Sequence, residues 1–228
     1  MLKNGKLWKL LLFLKFPTFT FAPNYRIVRE KILDTAADMF LTYGFKSVTM
    51  DDIAEAMGIS KKTIYTHFST KNKLVVATGL HVVERINCGI NEIREKKQNP
   101  IQENYEIKHF VIHHLKGEKT SPHYQLQKYY PKAYESLKDK QFELLENCMM
   151  GNIKRGIEDG YYRKEIPIDF ISRIHFIGMM GIKDTELFPV EEYSHSKLME
   201  YFLEYHLRAI CTPKGIKTME ELINNNEK

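Results

Sequence analysis

Nine consecutive residues, Ser60-Lys61-Lys62-Thr63-Ile64-Tyr65-Thr66-His67-Phe68, concentrate cations and hydrogen-bond donors. Ser60 has the side chain of a helix N-cap. A helix start carries partial positive charge and ordinarily attracts Asp or Glu, yet two lysines follow. If Ile64 and Phe68, four apart, turn inward, then Lys61, Lys62, Thr63, Tyr65, Thr66 and His67 are left for the outside. Each of the six can donate a hydrogen bond and none is acidic. No acid occurs between Glu55 and Glu84, a stretch that holds Lys61, Lys62, Lys71 and Lys73. Such a surface suits a polyanion, and a helix about 10–12 Å across fits the roughly 12 Å major groove of B-DNA. A solvated lysine face is the plainer reading of these nine residues taken alone.

The preceding residues supply what must hold that helix. Leu33, Ala36, Ala37, Phe40 and Leu41 recur at the spacing of an amphipathic helix, which Gly44 closes. Thr49 is an N-cap with Asp52 three residues on, a capping box, and Val48 and Ile53 have staple spacing around it. Ile53, Ala54 and Met57 face inward, Gly58 ends the second helix, and Ile59 with Ile64 repeats the staple around Ser60. The pattern predicts helices at about 26–43, 50–57 and 61–68, the last two joined by a short glycine-containing turn as in a helix-turn-helix.

Residues 29–74 resemble the DNA-binding region of the tetracycline-repressor (TetR/AcrR) family of transcriptional regulators. The resemblance is carried by ILDTAADMFLTYGF (32–45), TMDDIAEAMGIS (49–60), KKTIYTHF (61–68) and TKNKL (70–74). It implies phosphate contacts by Thr49, Tyr65, His67 and Lys71, with Lys61, Lys62 and Thr66 reaching base edges and Thr63 on the same recognition helix. Ser69-Thr70 lengthens the link before Lys71 relative to some relatives. The resemblance further implies a double-stranded DNA operator, a homodimer and a small-molecule effector of unknown identity. Over the remaining two-thirds it extends only to size and helical layout.

Beyond Thr70, long helical patterns run from Lys71 to about Gln98, Ile101 to Lys116, a short stretch to Tyr130, Pro131 to Gly160, Pro167 to Ile182 and Ser194 to Cys211. The expected fold class is all-α: an N-terminal three-helix DNA-binding domain (25–70) and a helical ligand-binding and dimerisation domain (71–212), between an extension (1–24) taken as disordered and a C-terminal tail (213–228). The apolar helices near the C-terminus offer Phe176, Met179, Met180, Leu198, Phe202, Tyr205 and Ala209 for a four-helix dimer interface, or for one monomer's core. Tyr124, Tyr130, Tyr134, Phe142 and Met149 are candidate pocket residues, aromatic and Met side chains being as common in plain core.

Composition narrows the alternatives. The net charge of +5 is uneven: residues 1–24 carry +4 and residues 25–75 carry +2. Residues 7–16 are apolar but interrupted by lysines and too short to span a bilayer. Cys88, Cys148 and Cys211 fit no zinc or redox spacing, and no Walker, nucleophile-elbow or zinc-protease motif occurs. His109 and His113 are four apart with His114 adjacent, but no third ligand is evident, so no metal and no cofactor are expected. The reading is a cytoplasmic regulator, not an enzyme and without a membrane partner. The alternatives are a DNA-binding protein that senses nothing and, further off, an all-helical enzyme.

Overall fold

The computed structural model describes residues 22–115 and 122–226, which form ten helices. The first, α1 (Ala22–Tyr43), buries the predicted stripe of Leu33, Ala36, Ala37, Phe40 and Leu41, and Ile32 with it. Helix α2 (Met50–Met57) starts at a complete capping box. The Asp52 N–H donates to Thr49 Oγ1 at 3.2 Å, and the Thr49 N–H donates back to Asp52 Oδ2 at 2.8 Å. Gly58 ends the helix at φ +63°, in the left-handed region that a Cβ disfavours. Helix α3 (Lys61–His67) opens with the Thr63 N–H donating to Ser60 Oγ at 3.0 Å. Helix α4 (Lys71–Glu95) is capped by Thr70, whose hydroxyl accepts from the Lys73 N–H at 3.2 Å.

One apolar cluster unites these four helices. Phe40, Phe45, Val48, Ile53, Ile64, Phe68, Leu74 and Val75 all belong to it, together with Ala133 from further along the chain. The core under α3 therefore crosses the expected boundary at residue 70.

The other helices are α5 (Pro100–His114), α6 (Pro122–Tyr129), α7 (Pro131–Glu158), α8 (Ile168–Gly181), α9 (His195–Ile210) and α10 (Pro213–Asn226). A second core gathers Ile101, Tyr105, Ile153, Tyr162, Leu207, Ile210 and Met219. Residues 213–226, expected as a tail, are the helix α10: Met219 is fully buried, and Ile216, Leu222 and Ile223 pack on the same core. The spacing 216, 219, 222, 223 is an apolar helical face, hidden in the sequence by the polar residues around it. Of the expected 1–24 extension, residues 1–21 lie outside the described residues, and α1 already covers 22–24.

A chain of polar side chains beside the second core is paired. Tyr162 Oη donates to Asn152 Oδ1 at 3.0 Å, Asn152 Nδ2 donates to Glu103 Oε1 at 2.9 Å, and Arg155 pairs with the fully buried Glu103. Such a network holds α5 and α7 in one register. It requires close approach, because a Cβ on Gly156 would lie 2.0 Å from the Tyr162 ring. Gly156→Ala is expected to destabilise the fold by about 1–3 kcal/mol through overpacking, read from urea unfolding.

Candidate nucleic-acid interface and effector cavity

Helix α3 is held from beneath by Ile64 and Phe68, which are buried, while Lys61, Lys62, Tyr65 and Thr66 are exposed. Tyr65 is 41% exposed, so its phenol can reach a partner outside the molecule. Thr66 Oγ1 donates back to the Lys62 carbonyl at 2.9 Å, which leaves only its acceptor capacity and methyl free. Thr49 accepts within its capping box and keeps its hydroxyl proton for an external acceptor.

Three expectations about this surface are corrected. Thr63 is half-buried, with Oγ1 2.8 Å from Ser60 Oγ, so it belongs to the start of the helix rather than to its outer ridge. His67 is half-buried as well, its ring 4.1 Å from that of Tyr25; burial first, and then the Arg29 charge, keep its pKa below the ordinary histidine value. Nor is the ridge free of acids. Lys61 Nζ pairs with Asp51 Oδ2 at 2.6 Å. Counting acids along residues 56–83 missed a carboxylate that α2 brings across the turn. Lys71 is half-buried beneath this surface, with Nζ 3.4 Å from the Lys46 carbonyl oxygen, and burial lowers its pKa.

Below the four helices lies a cavity of about 270 Å³. Its wall takes Phe40 and Leu41 from α1, Thr78 and Val82 from α4, Met149 from α7 and Phe202 from α9. Of the five expected pocket residues, only Met149 stands on this wall. Tyr124 is exposed and accepts from Lys128 Nζ at 2.8 Å, Tyr130 packs against Phe45, Tyr134 meets His123, and Phe142 meets Phe176 edge-on. Residues chosen for aromatic content alone lacked the information of which face each helix presents.

Residues 32–78 match the family model described as bacterial regulatory proteins, tetR family. Over those residues the chain is similar to the TetR-family DNA-binding region. The repressor KstR2 of Mycobacterium tuberculosis is 24% identical over 179 residues, covering 72% of this chain and 80% of that protein. A TetR-family regulator from Agrobacterium tumefaciens superposes with a TM-score of 0.65 at 16% identity, covering 83% of this chain and all of that one. A regulator from Saccharomonospora viridis, solved in complex with choline, gives 0.67 at 16% identity, covering 82% and 99%.

The expected interface residues divide. Phe176 and Leu198 are buried within the monomer, and Phe176, Met179, Met180 and Phe202 line the cavity. Tyr205 and Ala209 are exposed, Tyr205 at 71%. The outer apolar residues of α8 are Phe170, Ile174 and Ile177, spaced i, i+4, i+7, and Tyr201 accompanies Tyr205 on α9. Helix α8 is apolar on several faces, so periodicity alone did not separate its inner residues from its outer ones.

Among the described residues no three metal-binding side chains converge. His114 Nδ1 lies 2.9 Å from the Phe110 carbonyl oxygen and its ring stacks on Phe110, while His109 is exposed. No described helix is long and apolar enough to cross a membrane.

Neutralising Asp51 releases Lys61 and removes a negative charge from this surface. Asp51→Asn is therefore expected to tighten DNA binding about two- to fivefold at low salt, while Lys62→Ala weakens it, in gel shifts at fixed ionic strength. A second expectation concerns acid. Burial pushes the pKa of His206 down to about 4, and burial plus the His206 charge hold His175 well below its ordinary value. Between about pH 6.5 and 4 the unfolded chain binds protons at His206 that the folded one refuses, so stability falls as pH falls through that window. His206→Phe should flatten this slope in urea titrations at stepped pH.

Proposed function

We propose that the chain is a repressor that binds a double-stranded DNA operator as a homodimer and releases it when a small molecule fills the cavity. Residues 25–70 act as the reading head and residues 71 onward as the sensing and pairing part, in the cytoplasm and without catalysis. The observation that carries the reading is shared structure. Phe40 and Phe45 belong both to the core beneath α3 and to the cavity wall. Leu74 and Val75 of α4 lie in that same core, and Thr78, one turn on, is on the wall. An occupant of the cavity touches the support of the recognition helix directly.

Lys62, Tyr65 and the Lys61 pair face outward for phosphate and base edges, and Thr49 and Lys71 flank them. Phosphate contacts set register and base contacts set sequence preference, so the exposed lysines are placed for selection and Thr49, Tyr65 and Lys71 for positioning. Pairing is supported by the exposed apolar stripe of Phe170, Ile174 and Ile177 beside Tyr201 and Tyr205. Two copies joined there would offer two α3 helices to half-sites about 34–36 Å apart, which a lone three-helix head cannot do. The direction of control, repression, is supported by the KstR2 relatives, which are repressors.

The test is a gel shift on the DNA upstream of the protein's own gene, at stated salt, with and without Ile177→Glu. The parent is expected to bind as a dimer. Ile177→Glu should halve the mass in sedimentation and weaken operator binding at least tenfold while circular dichroism keeps its helical signal. A monomeric parent, or no retardation of any upstream fragment, contradicts the reading.

A further inference from the structure

We infer that the effector is an uncharged, largely apolar molecule with two hydroxyl or carbonyl groups, one held by Thr78 and the other by His175. The inference rests on reading the cavity as the effector site.

Most of the wall is hydrocarbon and aromatic, with Phe40, Val82, Ile86, Val111, Met179 and Phe202 among its residues. Apolar walls with few polar groups select apolar ligands and orient them by those groups. Two deeply buried wall residues carry polar atoms that the fold leaves unused. Thr78 is 2% exposed and its Oγ1 has no hydrogen-bond partner. A helical Thr or Ser ordinarily bonds back to the carbonyl four residues earlier, as Thr66 does to Lys62 and Ser172 to Ile168, both at 2.9 Å. Thr78 does not. His175 is 7% exposed, and its Nδ1 is equally without a partner, although the ring packs against His206 at 4.4 Å and Phe202 at 5.2 Å. Buried polar groups are almost always paired, and leaving one unpaired costs the folded state free energy. Two such groups on one cavity wall are accounted for by an occupant that pairs them.

The charges on the wall argue against an ionic occupant. No carboxylate is among the lining residues, so nothing there neutralises a cationic head. Lys108 Nζ lies 3.7 Å from Glu200 and 5.0 Å from the Tyr105 ring centroid, and Lys183 is also engaged within the chain. Burial keeps His175 neutral. An anionic head would have to take a cation from its existing partner and lose its own hydration. The two anchors stand on different helices, Thr78 on α4 and His175 on α8, both packed against α7.

The experiment compares three ten-carbon probes on the full chain by calorimetry and thermal unfolding: a decanediol with a hydroxyl at each end, decanoate, and decyltrimethylammonium. The diol is expected to bind and raise Tm, with the two ions at least tenfold weaker. Thr78→Val and His175→Phe should each weaken the diol about five- to tenfold, the loss of one buried hydrogen bond. Thr78→Val should also leave the Tm of the unliganded protein unchanged or raised, since it removes an unpaired hydroxyl. A merely structural threonine would lower it. Decanoate or the ammonium binding as tightly as the diol, no diol binding at all, or a Thr78→Val variant with lowered Tm and unaltered diol affinity each overturns the inference. Operator binding by the unliganded protein is measured in parallel. Intact DNA binding without diol binding removes only the ligand class, whereas absent DNA binding removes the functional reading beneath it.

Discussion

A seven-residue helix does not hold itself together in water, because nucleation costs more than so few hydrogen bonds return. Everything that α3 presents outward depends on what lies under it. Two side chains, Ile64 and Phe68, fasten it to a cluster contributed by α1, α2 and the first turn of α4. Ser60 supplies the missing acceptor at its start. The reading surface is therefore a property of the packing of four helices, and a shift of α1 or α4 is a shift of the reading surface.

The same economy governs charge. Two lysines at a helix start repel the peptide dipoles, and the free molecule answers with Asp51 on Lys61. An exposed pair of this kind contributes little to stability and is cheaply exchanged for phosphate. Lys71 is different in kind. It is half-buried, partly desolvated and close to a backbone carbonyl, so it sits as a fixed positive point beneath the surface rather than a mobile one upon it. A fixed charge gives register, and a mobile one adapts to sequence.

The reading head was legible in the sequence because its signals are local. Caps, staples and glycine stops lie within five residues of one another, and the capping box at Thr49 and Asp52 formed as its spacing predicts. What the sequence hid depends on contacts between distant residues. Asp51 reaches Lys61 only after the turn folds, and His67 is covered by Tyr25 from 42 positions upstream. In the sensing part the helices themselves were visible from Pro and Gly punctuation and from periodicity. Their orientations were not, since α8 has apolar residues both on the cavity side and on the outside, and tyrosines 124, 130 and 134 point to three different neighbours. The helix at 213–226 escaped because a short apolar stripe among polar residues reads as solvated chain until its partner core is known.

The cavity meets the head through several helices, and two of these routes bear on where an effector would act. One is through α1 and α4, whose side chains serve both core and cavity. The other is α6, whose Leu126 stands on the wall while the adjacent Gln125 accepts the Lys46 N–H at 3.2 Å and fills the space a Cβ on Gly44 would need. A ligand moves an equilibrium only by the difference in its affinity for the two states, so contacts that stay the same in both contribute tightness and no response. Helices α8 and α9 carry the outward apolar stripe and do not contribute to the cluster beneath α3, so a contact with His175 or Phe202 alone leaves that support as it was. Contacts with Phe40, Leu41, Thr78 and Leu126 are among those that would discriminate, because these residues stand on α1, α4 and α6, which pack on the cluster beneath α3.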